Sequence, residues 1–161
     1  MTPTPATSVW KPSVARRVTL DAFVPVPRGS VAVAPAPLNW PTKDPADILD
    51  YEVDISPALI GNERDAIATL AVAITPSNPG DLTLTSAATD GAVAVLWLSA
   101  GQAGTVYTIT IAITTLNGRT VQRSVLLPVL YLSQPPVPAN AIETNAGLVI
   151  TDQNGNPIVT S

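Results

Sequence analysis

The chain has 161 residues, with no cysteine, no histidine, only 12% charged residues and a formal net charge of -4. Disulfide frameworks, the usual Cys/His zinc sites and catalysis by an imidazole or a thiol are therefore excluded. The acidic balance argues against binding to nucleic acid or to anionic lipid, and no apolar run approaches the roughly 20 residues of a membrane helix. We expect a β-rich protein that is not an enzyme and has no cofactor.

Proline divides the chain into three parts. Nine of the 17 prolines fall between Pro3 and Pro45, and four more fall between Pro135 and Pro157. Because proline has no amide donor and a fixed φ, residues 1–45 are predicted to form an extended Pro-rich docking arm. Aromatic residues of the arm and a basic pair that could neutralise an acidic neighbour are candidate interface residues. They are Trp10, Phe23, Trp40, Arg16 and Arg17.

Residues 46–134 have the pattern of a β-sandwich. Runs rich in Val, Ile, Thr and Leu are separated by turn residues, and Asn117-Gly118 between two such runs is a strong hairpin signal. The predicted strands are 50–55, 66–74, 82–86, 92–98, 105–114 and 120–130. Their number and spacing predict an all-β, immunoglobulin-like sandwich of about seven strands. Trp97 is expected in its core.

Residues 135–161 are predicted to form a C-terminal extension. Two short apolar runs, 148–151 and 157–160, flank a turn rich in Asp, Asn and Gly, which indicates a small hairpin. Two strands alone are marginal in water, so the hairpin should pack on the sandwich or on another subunit. Its candidate interface residues are Leu148, Ile150 and Ile158.

No charged residue occurs from Gly91 through Gly118, a run of 28 positions. A free sandwich usually places charged side chains on its edges to prevent strand pairing with other molecules. The neutral run is therefore either a threonine-rich solvent face or a face that neighbouring protein covers.

The densest charged group is acidic. Paired carboxylates can perform acid/base catalysis or bind Ca²⁺, but alternation along a strand favours a solvated face here. The Asp152–Asn156 turn has its glycine too early for a calcium loop, so no metal site is expected. The acidic group consists of Asp44, Asp47, Asp50, Glu52 and Asp54.

Three sequence blocks carry a family resemblance. Residues 43–54 read K-D-P-x-D-x-L-D-Y-x-x-D, residues 97–107 read W-L-S-x-G-x-x-G-x-x-Y, and residues 115–124 read T-x-x-G-R-x-x-x-R-S. Together with a D-x-I strand at 65–70, the ordered blocks resemble the phage fiber–tail adaptor-like structural proteins. The long arm and the C-terminal extension are additions to that pattern.

This resemblance implies a non-enzymatic virion component that attaches fibers to the tail or neck. Its expected partners are other virion proteins, and it would be homo-oligomeric in the particle after synthesis in the host cytoplasm. Two alternatives remain open from the residues. A capsid decoration protein would be present in far more copies than an adaptor, whereas a carbohydrate-binding β module would depend on the acidic group.

Overall fold

The computed structural model describes residues 11–20, 29, 36–62, 64–133, 140–145, 149–152 and 157–160. Within these residues the protein is all-β, and its two four-stranded mixed sheets confirm the predicted β-sandwich class. Contacts divide the chain into two units, Met1–Tyr131 and Leu132–Ser161. No helix in the described part is both long and apolar enough to cross a bilayer.

Each of the six predicted strands is present, and two short strands from the arm join them. The strands are β1 (Arg17–Thr19), β2 (Leu38–Asn39), β3 (Leu49–Asp54), β4 (Ile67–Thr75), β5 (Thr83–Asp90), β6 (Val93–Ser99), β7 (Thr105–Thr115) and β8 (Thr120–Val129). Short 3-10 turns, Val14–Arg16 and Ser56–Leu59, precede β1 and follow β3. The first sheet has the order β1-β3-β6-β5, and the second has the order β2-β8-β7-β4.

Strand β7 shows why the sequence adopts this fold. Its isoleucines Ile109, Ile111 and Ile113 alternate with threonine and alanine, so every second side chain is buried. The β7–β8 hairpin closes at Gly118, whose φ of +82° is a left-handed conformation that glycine adopts without strain. The hairpin predicted from Asn117-Gly118 is thus confirmed.

The core tryptophan is Trp40, and the expectation that Trp97 would occupy the core is wrong. Along β6, Ala94, Leu96 and Leu98 are buried in the core, which leaves Trp97 half-buried on the opposite face of the first sheet. Trp40 is only 2% exposed, and its ring centroid lies 5.0 Å from that of Tyr51.

Parts of the Pro-rich arm lie on the sandwich of the same chain. Strand β1 pairs in parallel with β3, and β2 pairs in parallel with β8. Val18 and Leu20 from the arm are buried among the core residues. The arm therefore supplies an outer strand to each sheet, while β5 and β4 are the outer strands at the other ends of the two sheets.

In the second unit, three short segments close into a ring. The backbone amide of Ile142 donates to the carbonyl of Ile158 at 2.8 Å, Ile158 donates to Ile150 at 2.9 Å, and Ile150 donates to Ile142 at 2.8 Å. Three antiparallel bridges repeat with the same spacing of eight residues: Glu143 with Val149, Thr151 with Pro157, and Val159 with Ala141. The Thr151–Pro157 bridge matches the predicted hairpin, which is one side of a pseudo-threefold arrangement.

Candidate docking surfaces

Two arginines hold the arm on the outer face of the first sheet. Because Tyr51 and Val53 of β3 face the core, Asp50 and Glu52 lie on the opposite face, beside β1. Arg16 Nη2 lies 2.5 Å from Asp50 Oδ1, and Arg17 Nε donates to Glu52 Oε2. A longer contact of 3.9 Å joins Arg17 Nη1 to Asp54 Oδ2. Three of the five carboxylates of the acidic group are therefore paired within the chain, by the basic pair of the arm.

The pKa of Asp50 reflects this attachment. Burial disfavours the charged carboxylate, but the Ser13 amide at 2.7 Å and the Arg16 guanidinium favour it more strongly. The pKa of Asp50 is consequently held below its ordinary value of 3.8. The ionised form of Asp50 thus stabilises the contact between the arm and β3.

We expect acid to loosen β1 from β3. Because the pKa of Asp50 is depressed in the folded state, its stabilisation is complete above the ordinary value of 3.8 and is lost as pH falls through the folded value. NMR signals of the Val18 amide should then shift before those of Ile111 in β7. The variant Arg16→Ala should show the same change near neutral pH, whereas Lys11→Ala should not. If the Val18 and Ile111 signals changed at the same pH, the prediction that acid loosens only the contact between β1 and β3 would be wrong.

Lys43 fixes the end of the arm to the turn after β6. The side chain is fully buried, and its Nζ donates to the carbonyls of Asp44 at 2.7 Å and Ala100 at 2.9 Å. Burial lowers the pKa of Lys43, although the charges of Asp47 and Asp44 oppose that shift. The first residues of the K-D-P block therefore have a structural role in this chain.

Another buried carboxylate joins the start of β4 to the β7–β8 hairpin. Asp65 is 4% exposed, and its Oδ2 accepts from Arg119 Nη1 at 2.6 Å. Its Oδ1 accepts from the backbone amides of Asn117 and Ala66, each at 3.0 Å. Burial disfavours ionisation of Asp65, yet these donors and the Thr115 hydroxyl hold its pKa below the ordinary value. Arg119, in the T-x-x-G-R block, is thus also part of the folded framework.

The carboxylates of the acidic group were the candidates for metal binding or acid/base catalysis. No cluster of three or more metal-ligating side chains is found in the described part of the chain. Asp50, Glu52 and Asp54 of the acidic group contact arginines.

The neutral run is divided between the two sheets. Its second half forms β7, whose outward residues share a face with uncharged residues of β4 and β8. Thr110 is hydrogen-bonded to Ser124 on this face, with 3.0 Å between their hydroxyl oxygens. The cross-strand rows are Thr75–Thr108–Leu126, Ala73–Thr110–Ser124 and Ala71–Ala112–Gln122. The outer face of the second sheet is therefore neutral along three strands.

The structure separates the candidate interface residues. Trp10, Phe23 and Leu148 lie outside the described residues. As shown above, Trp40 packs in the core, and the two arginines contact carboxylates of the same chain.

Ile150 and Ile158 come together in the ring of the second unit. They are 39% and 41% exposed, and Ile142 beside them is 37% exposed. The sequence analysis missed Ile142, although the regular spacing of eight residues between the three isoleucines was a readable signal. The ring therefore presents three similarly exposed apolar residues.

Comparison with known families identifies the sandwich. A sequence model described as podophage GP4 fiber-tail adaptor protein gp77 matches residues 43–128, which is more than half of the chain. The match begins at the buried Lys43 and ends one residue before the end of β8, so it covers β3 to β8. No curated protein matches the chain. The chain belongs to the podophage GP4 fiber-tail adaptor family, and it is accordingly a structural adaptor of the phage tail.

Proposed function

We propose that this chain attaches fibers to the phage tail, with the sandwich as its rigid unit and the segments at both ends as docking elements. The family match over β3 to β8 is the observation that carries this proposal. All eight candidate interface residues lie outside the match, in the arm and the C-terminal unit. The partners would be tail, neck or fiber subunits, and the chain would be homo-oligomeric in the particle.

The C-terminal unit has the properties of a docking element. None of its described residues is buried, and its three ring isoleucines are each more than one-third exposed. A unit as small as Leu132–Ser161 that has no buried core does not hold a fixed structure alone in water. An apolar partner surface that covers Ile142, Ile150 and Ile158 would supply the missing core. We therefore assign fiber or tail contact to this unit.

A phage carrying the paired substitutions Ile150→Asp and Ile158→Asp tests this assignment. Each charge would have to be buried without a partner, so we expect particles that have lost their fibers in electron micrographs. Infectivity should fall in proportion to the number of fibers lost. Asn145→Asp, an exposed substitution in the same unit, is the matched control and should leave fibers in place. Fully fibered particles from the double variant would contradict the proposed contact.

The position and copy number of the chain in a map of the assembled particle test the adaptor role itself. We expect a small number of copies where fibers meet the tail. Copies distributed over the capsid shell would instead indicate a decoration protein and would overturn the proposal.

A further inference from the structure

Strand β4 has a free edge, and most of its length lacks the features that usually prevent edge pairing. Residues 69–75 pair regularly with β7, and the opposite edge has no partner strand among the described residues. Exposed edges are normally protected by charges, proline, bulges or shortness. This seven-residue stretch has no charged residue and no proline, and the irregularity of β4 lies before it, between Ile67 and Thr69. The edge is therefore open to another strand.

The sequence of this edge suits a second copy of itself. Residues 69–75 read T-L-A-V-A-I-T, which is nearly the same in both directions. If two copies pair antiparallel about Val72, Thr69 faces Thr75, Leu70 faces Ile74, and Ala71 faces Ala73. Each cross-strand pair then joins residues of the same kind and brings no like charges together. A self-complementary strand of this type fits a twofold interface between identical chains.

Burial favours the same pairing. Leu70, Val72 and Ile74 are only half-buried and pack at the margin of the core. A strand added beside them would cover their remaining apolar surface, which is favourable. The alternative edge, β5, is less suitable because it has an irregularity between Leu84 and Ser86 and ends at the exposed Asp90.

We propose that two copies of this chain associate by antiparallel pairing of β4 with β4 about a twofold axis at Val72. The second sheets of the two copies then form one continuous sheet. The pairing depends only on this edge, and it holds whether or not the fiber attachment proposed above is correct.

Sedimentation of the purified full chain tests the association. The wild type should be a dimer, and Ala71→Lys with Ala73→Lys should be a monomer, because like charges would face each other across the axis. Both alanines are exposed, so circular dichroism should show an intact fold. Mixing this variant with Ala71→Glu/Ala73→Glu should restore the dimer. Ala88→Lys, on exposed β5, should leave dimerisation unchanged.

A monomeric wild type would overturn the proposal, and β4 would then be available to a strand of another protein. A dimer that survives the paired lysine substitutions would also overturn it.

Cysteine cross-linking tests the register independently. The chain contains no cysteine, so any disulfide in a single-cysteine variant must involve the introduced residue. Val72→Cys should form a disulfide with its own copy on mild oxidation, since the two side chains meet at the axis. A mixture of Ala71→Cys and Ala73→Cys should cross-link several-fold more than Ala88→Cys. If Ala88→Cys gives the higher yield, the assigned edge is wrong.

Discussion

Replacing Trp40 by alanine should lower the free energy of unfolding by about 3–5 kcal/mol, in the range for large aromatic truncations in a core. Trp40 is buried against Tyr51, and its backbone amide donates to the carbonyl of Leu126 at 2.9 Å. The substitution would leave a large cavity where the arm enters the sandwich. Urea unfolding of the purified chain measures the loss.

Trp40→Phe is the matched control for this variant. The indole Nε1 of Trp40 is buried with no hydrogen-bond partner in the described part of the chain, so phenylalanine loses no polar contact. We expect a smaller loss than for alanine, since most of the ring volume is kept. A loss below about 1 kcal/mol for Trp40→Ala, together with loss of fibers from particles, would return Trp40 to the role of a docking anchor.

The stability of the protein should respond differently to removal of the hydroxyl group from each of two buried tyrosines. The hydroxyl of Tyr107 donates to Asp81 Oδ1 at 2.7 Å and accepts from the Gln102 amide at 2.8 Å. Tyr107→Phe leaves the buried carboxylate of Asp81 without this donor, which should cost about 1–3 kcal/mol. The hydroxyl of Tyr51 is buried without a partner among the described residues. Tyr51→Phe should therefore leave stability unchanged or raise it.

Measuring carboxyl pKa values in the two variants distinguishes loss of the Tyr107 hydrogen bonds from a change in packing. The Tyr107 hydroxyl is the main cause of the lowered pKa of Asp81, with the Asn78 amide second. Tyr107→Phe should thus raise the pKa of Asp81, and carboxyl NMR signals should follow it directly. In the wild type, burial raises the pKa of Tyr51 to about 12, which is consistent with a hydroxyl that stays protonated. Equal destabilisation by the two variants would contradict the assigned hydrogen bonds.

The strands of the sandwich could be predicted because their side chains alternate with a period of two. The same signal failed at Trp97 because both faces of β6 are apolar, with Val93 and Val95 on one side and Leu96 and Leu98 on the other. Periodicity identifies such a strand but does not reveal which face is the core. The neighbouring sheet decides, and that information is not local.

The candidate site was less predictable than the fold. The aromatic residues of the arm indicated that it contacts a protein surface. Composition does not show whether that surface belongs to the same chain or to a partner, and Trp40 packs in the core of its own chain. The Arg16–Asp50 pair spans 34 residues, so no local pattern indicates it. The regular spacing of the three isoleucines in the C-terminal ring was visible in the sequence. Two of the three segments, taken alone, have the pattern of a simple hairpin.

The second arm strand, β2, also determines when the fold can close during synthesis. Strand β2 and Trp40 precede most of the sandwich in the chain, yet they hydrogen-bond to β8, which is the last strand of the sandwich to leave the ribosome. Trp40 therefore stays without its final packing until about the whole sandwich has been made. Such distant pairings slow folding, because the chain must close a long loop before any contact stabilises it. Strand β2 and Trp40 are thus among the last parts of the domain to reach their final packing, although they are translated before most of it.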